Sequence, residues 1–170
     1  MNNGYTHRFG KTVGGIKKIA LTPVCNIKST TSDPSSGCYS SILLHDQANL
    51  AECSFAENAA AYREETDIRN GIPFVVHSLE FHTDKIDQES DRLIRQIASA
   101  SYCGLAAIIT TNENIRLIVG YSDEHLAERP LRLEKIFSDS GKKHTDGGYE
   151  AISLISRDTA KARILTGTIG

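Results

Sequence analysis

Apolar and polar residues alternate along much of this chain, and the pattern changes to a helical period between Ile86 and Tyr121. There Leu93, Ile94, Ile97 and Ala98 share one face. Asp87 is a fitting N-cap, and Glu89 and Asp91 place negative charge in the first turn. Gly104 accepts a positive φ just past the last turn, so one helix is predicted over about 87–102. An unbroken apolar run follows, and Leu105 to Ile109 has the length of a buried strand. Thr111-Asn112-Glu113-Asn114 supplies turn residues, and Ile115, Leu117, Val119 and Tyr121 alternate as the returning strand. The unit reads as a helix laid over a β-hairpin.

Strand patterns flank this unit on both sides. Ile16 to Val24 reads as a first strand, with Lys17 and Lys18 giving it a basic edge and Pro23 ending it or confining it to a sheet edge. Residues 28–41, rich in Ser and Thr with Asp33-Pro34 and Gly37, read as a long loop. Ile42–His45 and Leu50–Phe55 suggest a hairpin across Asp46-Gln47-Ala48-Asn49, and Ala56–Ala61 suits a short helix. The charged stretch Arg63–Asn70 reads as a solvated connector that ends in the turn signal Asn70-Gly71. Phe74 to His82 is the clearest long strand, with Val75, His77, Leu79 and Phe81 on one face. Later strands are predicted at Leu131–Ile136, Tyr149–Ser156 and Ala162–Thr166, with a second long loop at 138–148. Strands before and after one helix make an α+β, β-rich pattern, not the repeated βαβ of a dinucleotide fold. Residues 1–15 read as an N-terminal arm and 16–170 as a single domain.

Composition narrows the function classes. With 170 residues the chain buries a sizeable core without disulfides, and with no Trp that core is mainly Ile, Leu, Val and Ala. A formal charge of −2 speaks against a protein whose main task is gripping nucleic acid. The N-terminal residues lack the apolar segment of a secretory signal, and no stretch is apolar for long enough to span a bilayer, so a soluble chain without a membrane anchor is expected. Cys25, Cys38, Cys53 and Cys103 form no CxxC pair, and four free thiols are expected.

His77 and His82 fall on opposite faces of one strand, which speaks against shared metal ligation. His45-Asp46 and His144 with Asp146 resemble base and orienter pairs but lack a nucleophile context. Cys103 sits at a helix C-terminus, where the dipole opposes a thiolate. Gly14-Gly15 lacks the Gly-Lys-Ser/Thr of a phosphate loop, and Lys142-Lys143-His144 reads as an exposed tip. No catalytic, cofactor-binding or metal-ligating residue is assigned, and the expectation is a protein that is not an enzyme.

One resemblance goes further. Gly14-Gly15-Ile16, Phe74-Val75-Val76-His77-Ser78-Leu79, Leu105-Ala106-Ala107-Ile108-Ile109, Leu117-Ile118-Val119-Gly120-Tyr121 and Gly148-Tyr149-Glu150 follow one another in an order that resembles small virion structural proteins of Bacteroides-type phages and prophages, including the crAss-like group. The resemblance implies a tail or neck component similar to tail-tube and tail-hub proteins: an antiparallel β-sandwich or barrel with one main helix packed on it. It implies a homo-oligomeric ring, contacts with other virion proteins and at most non-specific contact with passing DNA, in a virion assembled in the host cytoplasm. The alternatives are a mobile-element-encoded adaptor or a small-ligand-binding protein whose loops 28–41 and 138–148 close over His45, His144 or Asp146. If the arm serves assembly, deleting residues 1–12 leaves the melting temperature unchanged while particle mass in light scattering falls; assembly at the full-length level removes the arm from this reading.

Overall fold

The structure, a computed structural model, describes residues 14–45, 50–142 and 147–170. Its strands are β1 (Ile16–Pro23), β2 (Ile27–Ser32), β3 (Tyr39–Leu44), β4 (Ala51–Cys53), β5 (Ala60–Arg69), β6 (Ile72–His82), β7 (Leu105–Thr111), β8 (Arg116–Val119), β9 (Arg132–Asp139), β10 (Tyr149–Asp158) and β11 (Arg163–Ile169). Among the described residues there is one α-helix, α1 (Gln88–Ala100), which stands between β6 and β7. The strands form a seven-stranded sheet ordered β2-β3-β11-β8-β7-β1-β4 and a four-stranded sheet ordered β5-β6-β10-β9. All pairings are antiparallel except β3 with β11. The expected α+β, β-rich sandwich with one helix is what the chain forms.

Two apolar clusters hold the layers together. Ile19 and Leu21 of β1, Leu105, Ala107 and Ile109 of β7, Leu79 and Phe81 of β6, and Ile152 and Leu154 of β10 join the two sheets, with Ile97 of α1 in the same cluster. The alternate residues of the same central strands, Ala20, Ala106 and Ile108, pack instead with Tyr39, Ile42 and Leu165 of β3 and β11. The seven-stranded sheet therefore folds β2, β3 and the end of β11 over its own outer face. This is why Leu105–Ile109 is a continuous apolar run: every residue of it is buried.

The curl has a local cause at Gly167. β11 pairs with β8 through Arg163 and Ile164, then with β3 from Leu165 onward, and its register slips between Leu165 and Thr168. At the slip the two backbones touch. A Cβ on Gly167 would lie 1.5 Å from the Ser40 carbonyl oxygen, so only glycine fits.

The helix begins and ends as its residues dictate. Asp87 accepts from the Glu89 and Ser90 amides, and Ser90 closes a capping box onto the Asp87 amide. At the other end Gly104 takes φ +88 and its amide reaches the Ala100 carbonyl. Leu93, Ile94, Ile97 and Ala100 supply the packed face, so Ala100 takes a place that the periodicity had given to Ala98.

Several expectations are corrected. Residues 28–41 are not a long loop: β2 and β3 occupy most of them, and the turn between is tightened by the Asp33 carboxylate, which accepts from the Ser35 amide and the Ser35 and Ser36 hydroxyls. Ile42–His45 and Leu50–Phe55 do not pair with each other, since β3 lies between β2 and β11 while β4 joins β1. Ala56–Ala61 is not helical and Arg63–Asn70 is not a connector; both run into the ten-residue β5, an edge strand of the four-stranded sheet. β1 is an inner strand over Ile19–Leu21, where it pairs with β4 and β7, and Lys18 meets Glu52 across that joint. β9 extends to Asp139 and β10 starts at Tyr149, which shortens the loop expected at 138–148; residues 143–146 of it lie outside the described residues, as do residues 1–13 of the arm. Gly14 and Gly15 are held by Asn112, whose side chain donates to the Gly14 carbonyl at 2.7 Å.

Ile97 is 3% exposed in the joint between helix and sheets. Ile97→Asp puts an unpaired carboxylate there and is expected to lower stability by at least about 3 kcal/mol in urea unfolding. Tyr102→Ser, at a side chain 92% exposed, is expected to stay within about 0.5 kcal/mol of wild type.

Candidate functional site

Two of the buried polar residues, His77 and Asp158, meet at one turn. Asp158 to Ala162 joins β10 to β11 and packs against β5 and β6. Asn70-Gly71 determines what β5 brings there: both residues take positive φ, 53° and 80°, as a two-residue hairpin turn requires. With that turn at the centre, the register places Glu64 opposite His77 and Tyr62 opposite Leu79. Tyr62 and Glu64 are two apart on the strand and share the face turned toward His77.

His77 is 2% exposed and hydrogen-bonded at both ring nitrogens. Nε2 lies 3.1 Å from the Ala160 carbonyl oxygen, which only accepts, so Nε2 carries the proton. Nδ1 is left to accept from the Tyr62 hydroxyl at 2.8 Å. Glu64 Oε2 lies 3.2 Å from the same hydroxyl and 3.6 Å from Nδ1, and it accepts the Ala162 amide at 2.8 Å. Lys161 closes the group, its Nζ 3.5 Å from Glu64 Oε1. Burial is the largest influence on His77 and lowers its pKa, against the opposing pull of the Ala160 carbonyl, Glu64 and Asp158. Burial and the Glu64 carboxylate together push the Tyr62 phenol far above its ordinary range. At neutral pH the cluster therefore holds a neutral imidazole, a phenol and a carboxylate.

The other side of the turn carries a second histidine. His125 Nε2 is 2.7 Å from Thr159 Oγ1 and 3.6 Å from Asp158 Oδ1, and the buried Asp158 also accepts the Thr159 and Ala160 amides. Farther along, Arg163 pairs with Asp123 at 2.9 Å and with Glu124, and its guanidinium lies over the Tyr39 ring. Thr30 donates to the same Asp123 at 2.8 Å, so β2, β11 and the Ser122–Pro130 connector are stitched together there.

These groups are arranged to hold the turn. Their polar atoms face one another and the backbone. An open cleft of about 490 Å³ runs along the outer side of the same turn, lined by Glu124, Thr159, Lys161 and Arg163 among others. A larger groove, about 710 Å³, crosses the outer face of the four-stranded sheet between His82, Glu134, Phe137 and Ser153. No group of three metal-ligating side chains comes together among the described residues.

Of the residues singled out from the sequence, those among the described residues are not drawn into one site. His45 is exposed at the end of β3, its amide bonded to the Asn26 carbonyl. Asp46, His144 and Asp146 lie outside the described residues. His77 and His82 do fall on opposite faces, His82 against the Tyr149 ring at 5.3 Å. The Tyr62–Glu64–His77 group was missed. Counting outward from Asn70-Gly71 pairs Glu64 with His77, but that count is meaningful only once Arg63–Asn70 is taken as a strand. Compared with known proteins, the chain matches no family model, no curated protein and no solved structure.

A native imidazole that resists protonation makes stability depend on pH. Because the folded pKa of His77 lies below the ordinary 6.5, its contribution is complete above that value and is lost as pH falls toward the folded pKa. Urea midpoints are expected to drop between about pH 7.5 and 5.5 in wild type, with a shallower drop in His77→Gln. Equal slopes in the two proteins would assign the acid sensitivity elsewhere.

Proposed function

We propose that this protein is a structural subunit of a phage particle, a tail or neck component of tail-tube or tail-hub type that assembles side by side into a ring. The virion context rests on the sequence resemblance, and the assembly mode on the edges of the four-stranded sheet.

The observation that carries the assembly reading is β9. Ile136 is 38% exposed and its neighbour Phe137 44% exposed, and consecutive strand residues point to opposite faces. An edge strand with apolar side chains open on both faces invites another strand beside it. The opposite edge of the same sheet is β5, ten residues long, and the β5–β6 hairpin ends in Ile68 and Ile72, 71% and 62% exposed. Laying the β9 edge of one copy against the β5 edge of the next continues the sheet from subunit to subunit. The two edges differ, so the contact is heterologous and closes as a ring when the rotation per subunit divides a full turn. A mildly acidic chain suits a passage through which DNA slides with no more than non-specific contact.

The reading is tested by light scattering across a hundredfold concentration series, with negative-stain imaging of the largest species. Rings or tubes are expected for wild type. Phe137→Glu and Ile68→Glu are expected to remain smaller while melting within a few degrees of wild type. A wild type that stays monomeric throughout, or variants that assemble as well as wild type, would remove the edge-to-edge ring and favour an adaptor or a ligand-binding protein using the cleft beside Lys161 and Arg163.

A further inference from the structure

Strands β1 and β7 bring two cysteines together just beyond their own ends. Their antiparallel register runs from Ile19 opposite Ile109 to Pro23 opposite Leu105. Past the last pair, the Val24 amide donates to the Gly104 carbonyl at 3.0 Å, which carries the ladder one step farther. Cys25 and Cys103 adjoin the two residues that share this bond. Cys25 belongs to the short 3₁₀ turn Val24–Asn26 that leaves β1, and Cys103 to the exit of α1. The bond between their neighbours holds the two cysteines close together, as a disulfide requires.

The side chains agree with the backbone. Cys25 and Cys103 are both exposed. The nearby Cys103 side chain, followed by partial burial, holds the Cys25 proton above the ordinary thiol range. The other two thiols have different surroundings. Cys53 is buried, with Sγ toward the Ala51 carbonyl, and Cys38 Sγ lies 3.8 Å from the Ser36 carbonyl oxygen.

We propose that Cys25 and Cys103 form a reversible redox site that is oxidised to a disulfide by low-molecular-weight disulfides of the glutathione class. One cysteine loses its proton and its thiolate attacks the small disulfide; the first small thiol leaves and takes up that proton. The second cysteine then loses its proton and attacks the protein-bound sulfur, and the second small thiol leaves protonated. Two protein thiols are oxidised and one small disulfide is reduced to two small thiols, so electrons and protons balance. Excess small thiol runs the exchange backwards.

The bond would clasp the exit of α1 to the end of β1, the joint through which the helix is tied to the central sheet. It closes a loop of roughly eighty residues, long enough for a large entropic effect on the unfolded chain. The inference does not depend on the ring reading, because both thiols and the joint belong to one chain.

The test incubates the reduced full-length protein with oxidised glutathione, blocks remaining thiols, and maps peptides by mass spectrometry without reduction. A Cys25–Cys103 cross-linked peptide within one chain is expected, together with a rise in melting temperature of roughly 5–10 °C that dithiothreitol reverses. Cys25→Ser and Cys103→Ser are each expected to abolish both effects, and Cys38→Ser to keep them. Recovery of Cys25 and Cys103 as separate glutathione adducts, as unmodified thiols, or as a cross-link between two chains would overturn the proposal.

Discussion

Burial of β7 on both faces is the constraint on which the rest of this structure depends. Leu105, Ala107 and Ile109 must be covered by the four-stranded sheet, and Ala106 and Ile108 by β3 and the end of β11. Fully burying a single large aliphatic side chain is worth about 1.5–3 kcal/mol, so neither cover can be given up without losing several such terms. The helix follows from the same demand. With its capping box at Asp87 and its stop at Gly104, α1 delivers the chain directly into β7 and brings Ile97 to the joint where both sheets meet it.

Covering both faces of one sheet forces the chain to turn back on itself near its C-terminus, and buried His77 and Asp158 meet at that turn. The half-buried segment Asp158–Ala162 must carry β10 of one sheet into β11 of the other, and its backbone groups are met by side chains. Asp158 accepts two of its amides, Glu64 a third, and His77 binds the Ala160 carbonyl. Leaving a buried backbone group unmet costs about 1–3 kcal/mol, so these side chains help to hold the turn. The same geometry leaves β5 and β9 as the edges of the four-stranded sheet among the described residues, and each carries charged side chains beside exposed apolar ones.

What the sequence determined by itself was everything that acts over a few residues. The Asp87 cap, the Gly104 stop, the β7–β8 hairpin, the Asn70-Gly71 turn and the buried face of β6 were legible because each depends on local backbone preference or on a period of 2 or 3.6. Tertiary structure decided what those rules leave free. The Ser/Thr-rich residues 28–41 became strands because β11 offers β3 an edge, and the charged β5 became a strand because β6 pairs with it along its whole length. Local propensity in both stretches was weak enough for a distant ladder to override it. The meetings of Tyr62, Glu64 and His77 and of His77 with Ala160 were likewise settled by packing between segments up to 83 residues apart. No local period encodes such a distance; only the packing of one strand beside another sets it.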